Sequence, residues 1–260
     1  MRNLRVLLWL FAMAVVVVVI VGPAAYFYTL AQLPALDSEF DLDRVLRQSV
    51  ESERKSYQLG LYDKTGYVVD WPRPTFDTLP KNLVAAYITE RGCPSYFQTP
   101  REDGWAWNRR ILWSLMGKEL QGDGWCEQVF AEVLAQRVGA QPGLQLAVAT
   151  HRIHRFLPKN ALVAYDLHSV QLAPGVVGVE AASKALMKKS LDKLNTAEIA
   201  ELALALPPNG YWDNVKNCQN TSLLRLGRDT VVRNLARAGM IPESESQLAV
   251  AQPLACMRSE

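Results

Sequence analysis

From residue 6 to residue 27 the chain reads VLLWLFAMAVVVVVIVGPAAYF, 22 residues without a charge. About 20 apolar residues span a bilayer core as a helix, so this run predicts a transmembrane anchor within residues 1–30. Arg2 and Arg5 stand just before it. Basic residues tend to stay on the cytoplasmic side, which puts the N-terminus in the cytoplasm and the body outside. Trp9, Tyr26, Phe27 and Tyr28 suit the membrane–water interface. A cleaved signal peptide is the alternative, with Gly22, Pro23, Ala24 and Ala25 near a cleavage site, although the run exceeds a signal core of about 7–15 residues. Both readings export the body.

The whole chain has 260 residues, 49% of them hydrophobic, which suits a folded body and excludes a mainly disordered one. Outside residues 1–30, 26 basic residues face 26 acidic ones. A protein that tracks phosphates along nucleic acid needs a basic excess, so nucleic acid is not an expected partner. Four cysteines, Cys93, Cys126, Cys218 and Cys256, form no CxxC pair. In an oxidising compartment an even count favours disulfides, with three pairings open, against four buried thiols. His151 and His154 are spaced i, i+3, but no third metal ligand accompanies them, so no metal or cofactor is expected.

Residues 31–57 are polar and read as a stalk with one short helix at 42–50. Apolar runs flank Asp63-Lys64-Thr65-Gly66, a hairpin signal that opens the body at residue 58. Helical patterns cover residues 81–90, 107–120, 127–138, 144–156, 159–170 and 179–187, the last after a break at 173–178. Thr196 precedes a helix over 197–206 with Glu198 and Glu201 near its start, and Pro207 ends it. A further amphipathic helix spans 223–238, and 242–251 adds another turn or two. The fold class is mainly α with a small β element.

The order of these segments resembles the family 51 glycosyltransferases, the peptidoglycan glycosyltransferase domain of penicillin-binding proteins and monofunctional transglycosylases. LGLYDKTGYVVDW is similar to the family's opening strand pair, and LPKNLVAAYITE to the stretch leading into its catalytic glutamate. The segment from Arg155 to Pro207 is similar over some fifty positions, without a gap through Lys159, Leu162, Leu167, Gly175, Gly178, Glu180, Ala181 and Ala182. LGRDTVVRNLARAGMIPESES resembles the helix and turn near that domain's end. The resemblance implies a lysozyme-like, mainly helical domain over 58–260 behind an N-terminal anchor at the bacterial cytoplasmic membrane. It also implies polymerisation of lipid II outside that membrane.

The catalytic motifs depart from the family's. Glu90 falls at the catalytic glutamate, the candidate base, but Arg91 follows it instead of aspartate. An inserted loop, GCPSYFQTPRED, comes next; its Glu102-Asp103 pair sits late for the alignment. The family's GGSTITQQ motif reads Gly122-Asp123-Gly124-Trp125-Cys126-Glu127-Gln128-Val129, in which Gly122 and Gln128 survive. Glu132 stands where the family has a basic residue. The RKxxE motif is replaced by Pro142-Gly143-Leu144-Gln145-Leu146. General-base help contributes roughly 10²–10⁴ in rate, and cations at a leaving diphosphate contribute as much or more. Arg91 beside Glu90 is expected to lower its proton affinity, and Asp123, Glu127 and Glu132 to repel a diphosphate.

The resemblance offers Gln128 and Lys159 as substrate contacts, Lys159 equally as a solvated helix-start residue, and Glu180 as a structural carboxylate at a helix start. Trp105, Trp107, Trp113 and Trp125 suit core filling, with sugar stacking as the alternative. In the family, motifs one and two line one cleft, which implies the pairing Cys93–Cys126, with Cys218–Cys256 tying down the tail. Expected partners are the membrane, lipid II or a glycan strand, and a cell-wall synthase or other envelope protein. The reading is an extracytoplasmic glycosyltransferase-like protein with catalysis lost or strongly reduced. The alternatives are a divergent active enzyme using Glu90 and a non-catalytic structural envelope protein.

Overall fold

The computed structural model describes Trp9 and residues 21–58, 75–101, 125–207 and 209–257. The rest of the expected anchor up to residue 20, the hairpin turn at 63–66 and the helix at 107–120 lie outside the described residues. So do Glu102, Asp103, Trp105, Trp107, Trp113, Gly122, Asp123, Gly124 and the side chain of Trp125. Among the described residues no helix is long and apolar enough to cross a membrane.

From residue 21 on, the first elements are α1 (Gly22–Gln32) and α2 (Glu39–Gln58). Residues 31–57 are not a free stalk along this length. Leu42 and Leu46, one turn apart on α2, are buried in the main core, as are Leu33 and Leu36 in the segment before it. Leucine spacing decides this against the polar average of the segment. Next come α3 (Lys81–Glu90), α4 (Trp125–Arg137), α5 (Leu144–Phe156) and α6 (Lys159–Ser169). Pro158 separates the last two, because its ring cannot continue α5 but suits the entry to α6. α4 packs along both α5 and α6, and α1 lies on α5.

After α6 a two-stranded antiparallel sheet pairs β1 (Gln171–Ala173) with β2 (Val176–Val177). The break expected at 173–178 is thus the turn of a hairpin. It leads to α7 (Val179–Met187) through Gly178. There φ is +81°, and an added Cβ would stand 2.5 Å from the His168 carbonyl oxygen, so only glycine fits.

The centre of the C-terminal half is α8 (Thr196–Ala205), every residue of which is buried. Its cap is Asn195, not Thr196. The Asn195 side chain accepts from the Glu198 N–H while Glu198 accepts from the Asn195 N–H, a reciprocal capping box. Around α8 stand α9 (Trp212–Asn217), α10 (Thr221–Arg237) and α11 (Glu243–Ala251). Alanines 197, 200 and 203 let α10 come close, and Val231, Val232 and Leu235 fill the seam. Arg228 is fully buried on α10 and donates to the carbonyls of Val250 and Gln252 and to Asp229. With the Cys218–Cys256 bridge, it fastens the tail.

Candidate functional site

Glu90 is the last residue of α3, and the segment after it is tightly tied. Gly92, at φ +73°, closes the helix: its N–H reaches the Thr89 carbonyl and the Cys93 N–H reaches that of Ile88. The chain then runs as turns from 93 to 101. Cys93 is bridged to Cys126 in the first turn of α4, the pairing that the resemblance implies. Tyr96 stacks edge-on against Phe130, with centroids 5.1 Å apart. The insertion after Glu90 is therefore bolted to α4 from its start.

Glu90 itself is half-buried. Its Oε2 accepts from Asn209 Nδ2 at 2.7 Å, across 119 positions of sequence, from the turn after α8. Arg91 does not pair with it. The Arg91 guanidinium is buried, lies over the rings of Tyr87 and Phe130, and stands 3.3 Å from Asp166 on α6. Asp166 also receives the Tyr87 hydroxyl at 2.6 Å and Arg137 at 2.6 Å. Burial works against the Arg91 charge, but Asp166 and Tyr87 outweigh it and keep the guanidinium protonated. Burial, then the Asp166 charge, pushes the Tyr87 hydroxyl above its ordinary range, so it stays a donor. The expected effect of Arg91 on Glu90 is thus replaced by a buried Arg91–Asp166–Arg137 triad. A lone acid in the apolar sequence of α6 was the available signal for it, because a buried charge needs a partner.

A second network surrounds Glu127, in the first turn of α4 and 2% exposed. Its Oε2 lies 2.8 Å from His154 Nε2 on α5, and its Oε1 lies 3.0 Å from Lys159 Nζ at the start of α6. Arg101 Nε stands 3.9 Å away and its guanidinium donates to the His154 carbonyl. Burial raises the Glu127 carboxyl, but hydrogen bonds from His154 and Lys159 and their charges hold it below its ordinary value. An ionised carboxylate only accepts, so Nε2 of His154 carries the hydrogen. The expected repulsion of a diphosphate by Glu127 is therefore replaced by an internally neutralised carboxylate. Glu132, also on α4, is pushed up by burial.

Lys159 is not a solvated lysine. Beside Glu127, its ammonium donates to the carbonyls of Tyr96 and Thr99, both at 2.7 Å, and to the Thr99 hydroxyl at 3.0 Å. The Tyr96 hydroxyl returns a bond to the Lys159 carbonyl at 3.1 Å. Three N–H groups thus meet four acceptors. Gln128 sits next to Glu127 on α4, half-buried, and its Oε1 is buried without a hydrogen-bond partner among the described residues. The disulfide, Glu127 and Gln128 occupy consecutive positions, so one helix turn carries all three. Glu180 accepts from the Leu191 N–H and pairs with Lys184 at 3.2 Å, a structural use. Of the histidine pair, His154 is taken by Glu127, and His151 is held below its ordinary value by burial and then by His154 and Arg155.

Sequence reasoning missed Glu127, His154, Asp166, Arg137 and Asn209 as members of these networks. Their partners lie far along the chain, and no local spacing announces them.

Residues 127–236 match the family model described as Transglycosylase. The biosynthetic peptidoglycan transglycosylase of Cupriavidus metallidurans is 25% identical over 181 residues, 66% of this chain and 74% of that protein. That of Ralstonia nicotianae is 26% identical over 176 residues, 65% and 73% of the two chains. That of Methylobacillus flagellatus is 30% identical over 114 residues, 43% and 49%. The region matched by the family model begins at Glu127, so the segment bearing Glu90 and Cys93 precedes it, while α5 to α9 fall inside with all but the ends of α4 and α10. By that match and these relatives, residues 127–236 carry the transglycosylase pattern, and the family resemblance of the chain is supported.

Proposed function

We propose that this protein serves peptidoglycan synthesis as a membrane-anchored, extracytoplasmic family member that binds lipid II, a glycan strand or a synthase partner, with catalysis lost or strongly reduced. The names of its relatives support the pathway, and the uncharged run at 6–27 supports the anchor. The observation that carries the loss of catalysis is the enclosure of Lys159. Transfer from a lipid diphosphate requires cations free to receive charge developing on the leaving group. Here the Lys159 ammonium is held by Glu127, Tyr96 and Thr99, and Arg91 and Arg137 are held by Asp166. Leu144, Gln145 and Leu146 stand where the family's other cationic motif is expected.

The test is lipid II polymerisation by the purified full-length protein. The expected result is no glycan product, together with saturable binding of lipid II or glycan strands. Product that disappears in Glu90→Gln overturns the reading in favour of an active enzyme. Loss of both product and binding, with co-purification of a synthase, leaves the partner-binding role.

A further inference from the structure

A cavity of about 130 Å³ opens between α2, the ends of α4 and α6, and the β-hairpin. Arg137 lines it from the last turn of α4 and Ser169 from the end of α6. At a helical rise of about 1.5 Å per residue, that is about 15 Å along both helices from the Glu127–Lys159 contact. Buried Leu46, Val50 and Val177 give the cavity an apolar side, and exposed Ser49 stands on its rim. Arg137 and Ser169 form a polar side, and no acid is among the lining residues. Arg137 Nη1 donates to the Asp166 carbonyl and the Ser169 hydroxyl, both at 2.6 Å, and its Nη2 lies 2.6 Å from the Asp166 carboxylate. A guanidinium carries five N–H groups, so one on Nε and one on Nη2 have no partner among the described residues. Charge is left over as well. Arg91 and Arg137 are both cationic, and among the described residues they share the single Asp166 carboxylate.

We propose that this cavity binds a carboxylate carried on a short aliphatic body. The carboxylate accepts from the two open N–H groups of Arg137, in the paired manner that guanidinium and carboxylate favour. It also balances the positive charge that Asp166 leaves over. The aliphatic part lies on Leu46, Val50 and Val177, which removes apolar surface from water on both partners. An apolar pocket with a few convergent polar groups is the general form of a small-molecule site. A cavity of about 150 Å³ holds benzene, so a ligand of about six non-hydrogen atoms fits here. A free short-chain acid and the C-terminal end of a peptide both carry this chemistry. The inference goes beyond the proposed binding of lipid II or glycan and concerns another part of the fold, so a glycan assay does not bear on it.

The experiment titrates butyrate, butyramide and N-acetylalanine into full-length protein in detergent, followed by calorimetry. Butyrate is expected to bind saturably, with a dissociation constant of about 1 mM or below. Butyramide, equal in size but uncharged, is expected to bind at least about tenfold more weakly. Ser49→Trp, which blocks the rim from an exposed position, is expected to abolish binding at an unchanged melting temperature. Arg137→Lys keeps a charge beside Asp166 but loses the paired donors, and is expected to weaken binding at least about tenfold. Should that variant fail to fold, Ser49→Trp carries the decision. N-acetylalanine binding more tightly than butyrate identifies a peptide end as the source, and the reverse order a free acid; either order supports the site. Folded wild type without saturable binding of butyrate below about 10 mM overturns the proposal. Equal affinity for butyramide, or binding that survives Ser49→Trp, overturns it as well.

Discussion

Glu127 has a negative charge that is useful only while the fold holds Lys159 and His154 against it. Its folded carboxyl titrates below the ordinary 4.5, so the unfolded chain binds a proton first as pH falls. The stabilisation is therefore complete above about pH 4.5 and is lost as pH drops through the folded value. His151 and His168 are held below 6.5, mainly by burial, and resist protonation in the fold. They too withdraw stability as pH falls below 6.5. The melting temperature of the wild type should fall in two stages on acidification. Glu127→Gln should retain the first stage and lose most of the second. Identical profiles would show that Glu127 is not held by its cations. At Gly178 the prediction concerns backbone alone. A positive φ with ψ 160° is a region open to glycine only, so Gly178→Ala should cost at least about 1–3 kcal/mol by denaturant unfolding. An unchanged midpoint would refute the close approach to His168.

The loop from 93 to 101 is the element that most distinguishes this site, and it is held at both ends. Cys93–Cys126 ties its start, and Lys159 and Arg101 tie its end. The bridge closes a separation of 33 residues, for which a chain-entropy argument gives about 3–4 kcal/mol. Replacing both cysteines by serine should lower unfolding free energy by that order and raise hydrogen exchange in the loop. A loss below about 1 kcal/mol would mean that the polar ties alone suffice. Helices with a strong apolar period were legible: α5 and α7 begin and end where the pattern puts them. Six-residue α9 was not, because less than two turns carry too little period to register. The cap of α8 falls on Asn195, one residue before the expected Thr196, because both are good capping types and spacing alone does not choose between them.

Across the whole molecule, the N-terminal segment is part of the body's packing. Leu46 is 1% exposed on α2 and belongs to the same core as residues of α3 to α8. Leu46→Ala should cost about 2–5 kcal/mol in a single cooperative transition. A negligible cost would restore the picture of an independent stalk. The sequence alone determined the helical character of the body and the family resemblance, from which the expectations for Glu90 and the motifs around it came. Those features depend on residue type and local spacing, which a linear chain displays. Tertiary structure alone decided where the charges went: Arg91 to Asp166, Glu90 to Asn209, and Lys159 to Glu127. Coulomb attraction and desolvation act through space between groups distant in sequence, and only the packing of α3, α4, α5 and α6 sets those distances.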